Sequence, residues 1–157
     1  LAQHGPAAAQ GIDAYMMDSI PDDQNGQADA VIFVRALHHL NRYGSEHLDE
    51  ALSEVHDFVR PGGIVGVVQH RAPEDMDDEM TTGSRGYMKQ SDVVAAFERA
   101  GFVLEESSEI NANPKDSADH PKGVWTLPPS LRLGDEDKDR YLAIGESDRM
   151  TLKFVKP

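Results

Sequence analysis

Two short apolar runs limit what this chain can fold into more than any other feature. Ala28-Asp29-Ala30-Val31-Ile32-Phe33-Val34 runs into Arg35-Ala36-Leu37-His38-His39-Leu40, and Val59-Arg60-Pro61-Gly62-Gly63 runs into Ile64-Val65-Gly66-Val67-Val68. Each is rich in β-branched residues and ends on polar ones, as a strand buried on both faces does. Between them Leu48, Ala51, Leu52, Val55, Phe58 and Val59 recur at three- and four-residue steps, one apolar stripe of a helix. Ser45 is placed to cap that helix, with Glu46, Asp49 and Glu50 near its positive end. Pro61-Gly62-Gly63 is expected to stop it and turn the chain into the second strand. Strand, helix and strand in this order predict a right-handed crossover between parallel neighbours. Ligands of such sheets bind beyond the carboxyl ends of the strands, so Arg35 to His39 and Gln69 to Arg71 lie on the expected working edge.

The remaining chain adds elements to that unit. Residues 12–17 read as an earlier strand ending near Asp18. Ser91 is placed to cap a helix whose face is Val93, Val94, Ala96, Phe97 and Ala100, and Gly101 ends it. Strands are expected at 103–110 and 150–155, and a short helix from Asp135 to Ile144. Residues 71–88 read as a loop. Residues 111–148 read as an irregular, lid-like insertion that holds four prolines before Ser130 and the only tryptophan. At 157 residues the chain suits one domain.

Charge and composition narrow the partners. The net charge of -13 is spread along the chain, and without a basic stripe there is nothing to displace counterions from a nucleic acid. A small or cationic ligand is easier to reconcile with this field. The absence of cysteine excludes disulfides, thiolate metal sites and a cysteine nucleophile. No stretch approaches the length of a membrane span, and the first residues are no signal peptide. The compartment is expected to be cytoplasmic by default, or periplasmic if an upstream signal was removed. The chain opens on Leu1, as expected of a processed or partial sequence.

The order of these motifs resembles the second half of class I S-adenosylmethionine-dependent methyltransferases. The resemblance rests on Ala28-Asp29-x-Val31, Ala36-Leu37-His38-His39-Leu40, Val59-Arg60-Pro61-Gly62-Gly63 and Phe97-Glu98-Arg99-Ala100-Gly101-Phe102. The tail, from Asn113-Pro114-x-Asp116 to Ser147-Asp148-Arg149-Met150-x-x-Lys153-Phe154-x-Lys156-Pro157, is similar to a bacterial group of methyltransferases without assigned substrates. The implied fold is α/β, a Rossmann-like sheet, mostly parallel with an antiparallel last strand. The family's glycine-rich loop and the acidic residue ending its second strand have no counterpart here. The N-terminal strands are therefore expected to be missing, and with them about half of the cofactor site.

The resemblance implies S-adenosylmethionine as cofactor, with Asp18, Ser19 and Ile20 near its adenine and Arg35 and Ala36 near its methionine part. Asp18 reads equally well as a turn residue before Pro21. Methyl transfer needs alignment above all, and an oxygen or nitrogen acceptor also loses a proton, for which histidine is suited. His38 and His39 are the candidate bases, although such a pair also packs locally. His70, Arg71, Tyr87, Asn111 and Trp125 are the candidate acceptor contacts, and Trp125 is suited to shield the reaction from water. Two other readings stand beside this one. The first is a truncated, non-catalytic domain that binds a partner or a second copy through an exposed sheet edge. The second is a metal-assisted hydrolase using Asp116, Asp119 and His120, although no short His-plus-carboxylate cluster marks a metal site.

Overall fold

The computed structural model describes residues 15–16 and 19–157. The two apolar runs form adjacent parallel strands, β1 (Ala28–Val34) and β2 (Val59–Ala72), in register from Ala30↔Ile64 to Val34↔Val68. Between them lie α1 (Leu37–Asn41) and α2 (Ser45–Phe58), and α2 buries Leu48, Ala51, Leu52 and Val55 along one stripe. There follow β3 (Met88–Lys89), α3 (Gln90–Arg99), β4 (Val103–Ser108), α4 (Lys138–Ile144) and β5 (Arg149–Val155). The sheet order is β1-β2-β5-β4, with β3 paired to the carboxyl end of β2. β5 is antiparallel to both β2 and β4, so it is inserted between strands that share one direction. This is the expected α/β sheet with an antiparallel last strand.

One face of the sheet carries the core. Phe33, Val65, Val67, Leu152 and Phe154 point at Leu52 and Val55 of α2 and at Val93 and Phe97 of α3. Phe97 stacks on Phe154 at 4.2 Å and meets Phe33 edge-on at 6.3 Å. Each such aromatic contributes about 1.5–3 kcal/mol by leaving water. Alternation sends the neighbouring residues to the opposite face, where Ile32 (63% exposed), Val34 (53%) and Val103 (50%) stand uncovered. A smaller cluster of Ala72, Tyr87, Ala118 and Val124 lies under the loops at the carboxyl edge.

Several expectations need correction. The strand at 12–17 falls outside the described residues except at Tyr15 and Met16, which are exposed and belong to no strand. Pro61-Gly62-Gly63 is not a turn between helix and strand but part of β2. Arg60 to Gly63 stand opposite the single Asp29, a bulge closed by the Arg60–Asp29 ion pair at 2.6 Å. Gly62 meets it with φ 73°, a value that suits glycine. Neither serine caps a helix. Ser45 is inside α2, which Gly44 enters with φ 120°, and Ser91 is inside the first turn of α3, donating its hydroxyl to Glu74 at 2.5 Å. The helix expected from Asp135 begins only at Lys138, because Asp137 is left-handed (φ 50°). The strand expected to reach residue 110 stops at Ser108.

Candidate functional site

The carboxyl ends of β1 and β2 open into a cavity of about 290 Å³. Arg35 shapes its floor. It ends β1 with φ 53°, a left-handed conformation that costs a non-glycine residue about 1–2 kcal/mol, while its N–H still donates to the Val68 carbonyl at 2.7 Å. That reversal folds the chain straight into α1 and brings His38 and His39 over the strand ends, their rings 4.0 Å apart. His70, near the end of β2, supplies a third imidazole 5.6 Å from His38. Val124, Trp125, Pro128, Pro129 and Ser130 form the opposite wall, and Glu146 and Ser147 close one end. Trp125 meets His38 edge-on at 6.0 Å, and the Arg132 guanidinium covers the indole at 4.9 Å.

Two of these histidines, His38 and His70, are held neutral. Burial, reinforced by the adjacent His39, lowers the pKa of His38 to about 4. Burial also lowers His70 to about 3, helped by His38 and Arg35. His70 Nδ1 shares a hydrogen bond with Ser147 Oγ at 2.6 Å, and His38 Nδ1 faces Gln69 Oε1 at 3.3 Å. His38 Nε2 is buried without a hydrogen-bond partner among the described residues.

The wall is anchored by Asp116. Its carboxylate accepts from the Ala118 N–H (2.9 Å), the Asp148 N–H (2.8 Å), His120 Nε2 (2.8 Å) and the Tyr87 hydroxyl (3.0 Å). Burial alone would push this carboxyl up, but the hydrogen bonds outweigh it and hold Asp116 below the usual carboxylate range. Arg85 adds a second tie: its carbonyl accepts from the Val124 N–H at 2.9 Å, and its guanidinium donates to the His120 carbonyl.

No protein-family model matches the sequence, and no curated protein matches it. Solved structures do match. The [4+2]-cyclase SpnF aligns at TM-score 0.60 and 18% identity, over 96% of this chain and 59% of SpnF. A chain of the complex between the Haloferax volcanii Trm112 methyltransferase activator and a methyltransferase aligns at TM-score 0.51 and 16% identity, over 96% of this chain and 66% of its own length. Burkholderia thailandensis 1,6-didemethyltoxoflavin-N1-methyltransferase, solved with S-adenosylhomocysteine bound, aligns at TM-score 0.50 and 10% identity, over 84% of this chain and 45% of its own. The fold is the class I methyltransferase fold. The chain spans only part of the length of each match, and one of them is named for a cyclisation, so the methyltransferase fold alone does not specify the reaction.

Within this methyltransferase fold the sequence-derived candidates separate. Arg35, His38, His39, His70 and Trp125 line one cavity, with Ala36 beside them at the start of α1. Arg71 leaves it: neighbouring strand residues point to opposite faces, and Arg71 pairs instead with Glu109 (2.6 Å) and Asp148 (2.8 Å). Tyr87 is fully buried on Asp116. Asn111 is tied to Thr151 at 2.8 Å. Ser19 is exposed, and Ile20 lines a separate cavity of about 530 Å³ with Leu40, His47 and Ala51. Asp18 lies outside the described residues. Among the described residues no three His, Asp or Glu side chains converge as metal ligands, and no helix is long and apolar enough to cross a membrane. Sequence reasoning overlooked Glu146 and Ser147 as site residues, although Ser147 opens the tail motif that suggested the family.

Proposed function

We propose that the chain serves methyl transfer from S-adenosylmethionine to a small-molecule acceptor. The observation that carries this reading is the convergence of Arg35, His38 and His70 on one cavity at the carboxyl ends of parallel β1 and β2. The residues fit such a group in part. Arg35 would offer a cation to its carboxylate, whereas Glu146 is paired with Arg149 at 2.5 Å and a cavity of about 290 Å³ suits only the reacting end and a small acceptor. When bound, the cofactor supplies a methyl carbon activated by positive sulfur. The chain's own part is to align the acceptor, to take its proton on His38 or His39, and to exclude water with Trp125, the segment 111–148 acting as a lid. Calorimetric titration with S-adenosylhomocysteine is the test. Saturable binding that weakens at least tenfold in Arg35→Ala supports the reading; absence of binding by this chain and by any longer protein that contains it removes it.

A second reading is favoured by one observation. The outer edge of β1 has no strand partner among the described residues, and Ile32 and Val34 are more than half exposed beside it. Such an edge invites pairing, here with a second copy. A light-scattering mass of a dimer that reverts to monomer in Ile32→Lys supports that reading, and a monomer at every concentration removes it.

A further inference from the structure

Gln69 is fully buried near the end of β2, on the face opposite His70. A glutamine in a core must have both ends of its amide satisfied. Its Nε2 donates to the Gly86 carbonyl at 2.9 Å and more weakly to the His70 carbonyl at 3.4 Å. The reverse orientation would set two carbonyl oxygens against each other, so Oε1 is the atom that faces His38 Nδ1. An amide oxygen only accepts, and His38 Nδ1 must therefore carry the ring's proton. The lone pair is then on Nε2, the buried nitrogen without a partner among the described residues, in a ring that lines the cavity.

We propose that Gln69 is a positioning residue that fixes His38 in the Nδ1-protonated form, reserving Nε2 for an acidic O–H or N–H of the methyl acceptor. The proposal rests on the methyl-transfer reading and adds the substrate class. As X–H becomes X–CH3, its proton goes to Nε2, and the positive charge passes from the sulfonium to the imidazolium. A buried base that resists protonation matches an acidic donor, such as a phenol or a heteroaromatic N–H, better than an aliphatic alcohol. Trp125 and Pro128 give that donor a flat apolar wall.

Nitrogen NMR of protein labelled in its histidine rings tests this near neutral pH without cofactor. In the unmodified chain His38 is expected to be neutral, with Nε2 the unprotonated nitrogen. Gln69→Leu should give a mixture of both forms. Protonation of Nε2 in the unmodified chain, or an unchanged form in Gln69→Leu, overturns the proposal. Phenol is expected to shift the His38 Nε2 signal and anisole, which has no O–H, to leave it in place; an equal response, or none to phenol, overturns the acceptor class. These readouts need no methyl transfer, so their failure is distinct from failure to bind S-adenosylhomocysteine, which removes the underlying function instead.

Discussion

Arg35 is the residue on which the site turns, and its backbone is in tension with its side chain. A left-handed φ of 53° is unfavourable for any residue with a Cβ. Arg35→Gly should therefore raise stability by about 1 kcal/mol, read as a higher denaturation midpoint. The same change should weaken binding of S-adenosylhomocysteine, because the cation at the cavity floor is lost. A variant that gains no stability would show that glycine's greater freedom in the unfolded chain offsets the relieved strain. At this scale the sequence was legible where polarity marks a strand end: Arg35, His38 and His70 all follow apolar runs. It was not legible at Arg71, because a one-residue step along a strand exchanges cavity for surface, and no periodicity fixes which of two adjacent polar residues faces inward. Tyr87 and Asn111 were misleading for another reason. Their partners, Asp116 and Thr151, are distant in sequence, and nothing local predicts those pairs.

The elements that were legible are those whose apolar spacing is long enough to have a period. α2 and α3 each present one stripe, and β1, β2 and β5 are built from Val, Ile, Phe and Leu at strand spacing. α1, with five residues, and β3, with two, are shorter than any period and come from tertiary contacts. The Pro-Gly-Gly bulge belongs to the same class of surprise: a sequence that usually ends an element here bends one. Its geometry is exacting at Gly63, where a Cβ would lie 2.6 Å from Val59 Cγ1 and 2.9 Å from the Arg60 carbonyl. Gly63→Ala should cost about 1–3 kcal/mol. Urea denaturation measures it, and a cost within experimental error would mean that the bulge relaxes freely.

For the molecule as a whole, the buried histidines set the acid limit of stability. Unfolding returns both rings to about 6.5, whereas the folded chain holds His38 at about 4 and His70 at about 3. Between these values the unfolded chain binds more protons, so stability is full above about pH 6.5 and falls as the pH drops. The slope is about 1.4 kcal/mol per pH unit for each histidine. Denaturation midpoints measured from neutrality down to the carboxylate range should follow it, and His70→Gln should flatten the curve. A midpoint indifferent to pH over that range would mean that both rings titrate normally in the fold.

Gly86 touches both sides of the cavity at once. Its carbonyl receives the Gln69 amide, and its α-carbon lies so close to Val124, the neighbour of Trp125, that an added methyl would collide with that side chain. The wall at Val124 is thus packed directly on the residue whose carbonyl holds the Gln69 amide. One glycine therefore sets the spacing between wall and base, and any side chain at position 86 would have to force the two apart.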